Sequence, residues 1–81
     1  MFINKAPDGT NNICGKNIAR IRIERQMSQR QLSDLLQLSG LDIDKNAVQR
    51  IEAGKRFVTD IELKCFARAL QINLDELLSE G

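Results

Sequence analysis

Asn46, Gln49 and Arg50 fall on one side of the stretch NAVQRIEAGKR (46–56), with Lys45 just before it and Lys55 and Arg56 closing it after a glycine. At about 100° per residue, Ala47, Val48 and Ile51 point the other way. Asn, Gln, Lys and Arg carry the donors and acceptors that match the edges of adenine and guanine in the major groove of DNA. A solvated helix face would also be polar. Such faces usually mix Glu with Lys, whereas this one has no carboxylate; Glu52 stands at its border.

Other chemistry is poorly supplied. The chain has no histidine and two cysteines, Cys14 and Cys65, far apart in sequence. A Cys/His zinc site is therefore excluded, and no metal or other cofactor is expected. Without His, a ligand cluster or a phosphate-cradling glycine loop, the usual acid–base and nucleophile arrangements are missing, so a binding protein is expected rather than an enzyme. No apolar run approaches the ~20 residues of a membrane span and no signal peptide opens the chain, which points to the cytoplasm. In that compartment Cys14 and Cys65 are expected as free core thiols, not a disulfide.

Charge is unevenly spread. The net charge is +1, but residues 1–56 hold ten Lys/Arg against six Asp/Glu, and residues 57–81 hold two against five. A basic front and an acidic back suit a polyanion bound on one side.

The elements that must hold the polar face can be placed from caps and periods. Residues 1–12, with the only proline, read as a flexible N-terminal tail, leaving 13–81 as one domain. Cys14, Ile18, Ile21 and Arg25 line one stripe of a first helix that stops near Gln26. Ser28, followed by Gln31, caps a second helix that buries Leu32, Leu35 and Leu36. LSGLDID (38–44) breaks the period as a turn, with Leu38, Leu41 and Ile43 expected to tuck beneath the neighbouring helices. Asp44 caps a third helix, 45–53, closed by Gly54. Thr59 with Glu62 opens a fourth through about Leu70, and Asn73 with Glu76 a fifth ending near Ser79. The class predicted is all-α.

A capped helix, a turn and a second capped helix bearing the polar face form a helix-turn-helix, whose second helix enters the major groove. Gln29 and Arg30 then start the preceding helix above the phosphates. Three segments, GKNIARIRIERQMSQRQLSDLL, NAVQRIEAGKR and IELKCFARALQINLDELL, closely resemble the Cro/repressor-type helix-turn-helix family, also called the xenobiotic-response-element family. The resemblance covers roughly residues 15–79 and implies a compact five-helix, lambda-repressor-like DNA-binding domain.

Carried over, the resemblance makes Gln29 a phosphate contact that sometimes touches a base. Lys45, Asn46 and Arg50 become base readers behind the Asp44 cap. Lys55 and Arg56 become a phosphate-contacting loop, and Arg22 with Glu52 a partly buried salt bridge between the first and third helices. The chain departs from the family's tight turn by about five extra residues, SGLDI. It also carries Ser33 where the family prefers alanine.

The function expected is a sequence-specific transcriptional regulator, a repressor, that reads double-stranded DNA with Lys45, Asn46, Gln49 and Arg50 and grips phosphates with Gln29, Arg30, Lys55 and Arg56. The sequence stops just after the fifth helix, so no ligand-sensing domain is expected. So small a domain makes few base contacts, and a homodimer on a two-fold related operator is the expected remedy. Leu74, Leu77 and Leu78 are candidates for the dimer contact, with core packing as the other reading. The rival function is a protein-interaction module or antitoxin using the same fold and binding a protein partner.

Overall fold

The computed structural model describes residues 5–80. Five helices follow in order: α1 (Cys14–Glu24), α2 (Gln29–Leu38), α3 (Lys45–Glu52), α4 (Asp60–Leu70) and α5 (Leu74–Leu78). No strand occurs among the described residues, and none of these helices is long and apolar enough to cross a membrane.

Local chemistry sets the helix starts. Ser28 accepts from the Gln31 N–H while Gln31 reaches back to the Ser28 N–H, and Thr59 and Glu62 repeat the arrangement. Asp44 and Asn73 accept from Ala47 and Glu76 N–H groups. Each satisfies a donor that a helix start leaves without an internal partner. α1 is capped from one residue further out, by Asn12 Oδ1 accepting the Gly15 N–H at 2.8 Å. The first four helices share one ending. In each, two amides beyond the last turn fold back onto carbonyls inside it, as Lys55 N to Arg50 O (2.9 Å) and Gly54 N to Ile51 O (3.0 Å) do in α3.

α3 packs between α1 and α2, α5 lies against α1 and α4, and α4 also meets α2. Ile18, Leu32, Leu36, Val48, Ile51, Phe66, Leu70 and Leu77 are fully buried where these faces converge. Burying each contributes about 1.5–3 kcal/mol relative to leaving it in water. Gly15 permits the α1–α3 approach: any Cβ there would overlap the Ile51 carbonyl oxygen. Ser33, buried on α2, donates its hydroxyl to Arg30 O at 2.8 Å, so its polar group is satisfied locally.

Several expectations need correction. Leu38 is 85% exposed, while Ile43 is buried and Leu41 half-buried. The reason is that α2 continues through Leu38, two positions and about 200° from buried Leu36. Leu35 likewise sits at the edge of the core, exposed rather than buried. Of the α5 leucines, which had two readings, Leu77 takes the core-packing one, while Leu74 and Leu78 are exposed. Cys14 is buried, but Cys65 is half-buried, and both are free thiols.

The N-terminal stretch expected as a tail is hydrogen-bonded to the body over the part described. Asn11 N donates to Gly54 O (2.8 Å), and the Asn11 and Asn12 side chains reach carbonyls of residues 51–56. Residues 1–4 of that tail, and Gly81, lie outside the described residues.

Candidate nucleic-acid interface

Burial of Ala47, Val48 and Ile51 against α1 and α2 decides which way the rest of α3 points. Lys45, Asn46, Gln49 and Arg50 are all exposed. Among the described residues their side chains form no ion pair with a carboxylate, leaving amides, ammonium and guanidinium turned outward. Arg30, exposed in the first turn of α2, and Lys45 border a groove of about 330 Å³ between the two helices. Asp34 and Asp44 line the same groove, so charge at the start of α3 is mixed, not uniformly positive.

The angle of α3 is held from behind. Arg22 Nε donates to Glu52 Oε2 at 2.7 Å and Nη2 to Oε1 at 3.1 Å, a two-point contact. Both side chains are largely withdrawn from water, at 14% and 7% exposed. Arg22 Nη1 also donates to Met27 O at 2.7 Å, which fixes the guanidinium plane. Gln29 Nε2 joins the pair by donating to Glu52 Oε1 at 3.0 Å. One carboxylate thereby ties α1, α2 and α3 together. The resemblance makes Gln29 a phosphate contact that sometimes touches a base; here one of its two amide protons is spent on Glu52, and the other is free to donate.

Arg56 is also placed differently from the sequence reading. Its guanidinium grips the Glu62 carboxylate, Nη1 to Oε1 at 3.1 Å and Nη2 to Oε2 at 2.8 Å, and Nη1 also reaches Phe57 O. The Arg56 donation holds the Glu62 carboxyl below its ordinary value of 4.5, against the opposing effect of burial. Glu62 raises the Arg56 guanidinium in turn. This cation is neutralised by its own chain, leaving Lys55 as the exposed charge of the loop.

The structure thus brings Arg30, Lys45, Asn46, Gln49, Arg50 and Lys55 to the surface, with Gln29 half-buried beside them. Asn11 and Asn12 support this region and were missed, because a stretch without period gives no local sign of where its amides dock. The Asn12–Gly15 spacing was the one available signal of a cap.

A family model described as helix-turn-helix matches residues 18–77. Among solved structures, the chain is similar to the restriction-modification controller protein C.AhdI from Aeromonas hydrophila, with a TM-score of 0.68 and 32% sequence identity. That match covers 78% of this chain and 88% of the other. A search of curated proteins finds no match. A helix pair with the second helix presenting donors outward, on a chain matched over most of its length, leads to one conclusion: the protein belongs to the Cro/C1-type helix-turn-helix family and is a DNA-binding transcriptional regulator.

Proposed function

We propose that the protein is a repressor that binds a two-fold related operator as a homodimer, with α3 in the major groove of each half-site. The carrying observation is the outer face of α3: four exposed donors, no carboxylate, and three buried apolar residues that fix its direction. On this reading Lys45, Asn46, Gln49 and Arg50 meet base edges. Arg30, Lys55 and the free amide proton of Gln29 meet phosphates, which position the domain without reading sequence. Leu74 and Leu78, one turn apart and exposed on α5, supply an apolar contact for a second copy. The similarity to a restriction-modification controller supports a restriction-modification gene set as the regulated target.

Selection from random duplex DNA should return a two-fold related consensus, and a promoter carrying it should fall silent when the protein is supplied. Arg50→Ala should cost about 1–3 kcal/mol on the selected site and little on random DNA. An equal loss on both would make α3 a generic basic surface. A rise in promoter output would replace repression by activation.

A further inference from the structure

We infer that the segment just before α1, through Asn11 and Asn12, is a positioning device that holds the loop after α3 in its DNA-gripping shape. Four carbonyls, of Ile51, Gly54, Lys55 and Arg56, accept hydrogen bonds from these two residues. Asn12 Nδ2 donates to Ile51 O at 3.1 Å and to Arg56 O at 2.7 Å. Asn11 Nδ2 donates to Lys55 O at 3.0 Å, and Asn11 N to Gly54 O at 2.8 Å. The same Asn12 caps α1 through its oxygen, so the bracket is anchored to the helix that packs behind α3. Gly54, at φ +76°, lies against the Thr10 side chain, which would stand 2.7 Å from any Cβ added there. The segment lies upstream of residues 18–77, outside the part that carries the family likeness.

The contacts are to backbone alone. They leave the Lys55 ammonium exposed while fixing the chain that carries it. On the other side of Lys55, the Arg56 guanidinium is fastened to Glu62. A loop already ordered gives up less freedom when a phosphate docks, which strengthens binding without adding a contact. Asn11 also keeps its Oδ1 buried with no partner among the described residues. An unsatisfied buried acceptor costs stability, so this side chain is poorly explained as a stabilising one.

The inference rests on the reading of Lys55 as a phosphate contact, and a double-mutant cycle in the full chain separates the two. Affinity for the selected duplex and for random duplex DNA is measured by fluorescence anisotropy across a range of salt, beside a thermal melt. Asn11→Ala should weaken binding to both duplexes roughly 3- to 10-fold, the worth of one hydrogen bond. Its melt should stay near native and its salt slope unchanged, since Lys55 still displaces a counterion in the complex. Lys55→Ala should flatten the slope by about 0.9 unit. On that background Asn11→Ala should have no further effect, because its action passes through Lys55. Asn11→Ser, too short to reach Lys55 O, should repeat the result should the alanine variant fold poorly. Additive losses, or native binding in both Asn11 variants, would overturn the positioning role alone. A Lys55→Ala protein with native affinity and slope would remove the phosphate reading and this inference with it.

Discussion

Single residues in this protein owe their behaviour to which atoms their neighbours leave free. Lys55 and Arg56 are adjacent basic residues, yet one is solvent-exposed and the other is bound on two sides by Glu62 and Phe57 O. The cysteines differ in the same way. Burial at the start of α1 pushes the Cys14 thiol up to about 11, which suppresses the thiolate that alkylating agents attack. Native protein at pH ~8 should therefore label at Cys65 first, with Cys14 reacting only as the fold opens. Mass spectrometry of a labelling time course checks this. Equal rates at the two sites would mean that the start of α1 does not pack as described.

Elements are joined by charged groups that are costly to leave unpaired. The Glu52 carboxylate serves Arg22 and Gln29 together, so Glu52→Gln strands the Arg22 guanidinium in a largely buried site. The loss should be about 3 kcal/mol. In a domain of this size that lowers the melting temperature by more than about 10 °C. A melt within error of native would show that the clamp contributes nothing to stability.

The Arg56–Glu62 pair links the α3–α4 loop to α4, and it carries a pH signature. Hydrogen bonds from Arg56 depress the Glu62 carboxyl in the folded state. Its contribution is thus complete above its ordinary value of 4.5 and is lost as pH falls through the lower folded value. Melting temperatures should drop on acidification below pH ~4.5, and Glu62→Gln should flatten that drop while lowering the neutral-pH melt. An identical acid profile in the variant would remove Glu62 as a cause.

At the scale of the whole molecule, the dimer contact proposed for α5 separates its three leucines by burial. Leu77 is sealed into the core beside α1 and α4, whereas Leu74 and Leu78 remain exposed. Leu77→Ala should cost about 2–5 kcal/mol of folding stability, as a buried leucine cavity does. The double change Leu74→Glu with Leu78→Glu should leave the melt near native and abolish self-association, read by sedimentation. Retained dimers would move the contact elsewhere. In the proposed dimer a second half-site adds base contacts, so the same variant should lose far more affinity for a two-fold site than for a single half-site.

Much of the fold was legible because helix starts and faces are local matters. Ser28 with Gln31, Thr59 with Glu62, Asp44 and Asn73 act within three residues of themselves. The outward face of α3 follows from the period of Ala47, Val48 and Ile51 alone. What only the tertiary structure decided involves partners far apart in sequence. Gln29 meets Glu52 across 23 residues, and Asn12 meets Arg56 across 44. No local pattern marks these pairings, because they form only once α1, α2 and α3 have packed. The same packing settled which leucines of 35, 38, 74, 77 and 78 are covered, since a helical period shows that residues share a face but not how much of it a neighbour reaches. Residue types and spacing determined that α3 carries a polar face free of carboxylates; the packing of distant segments decided which polar groups around it remain free.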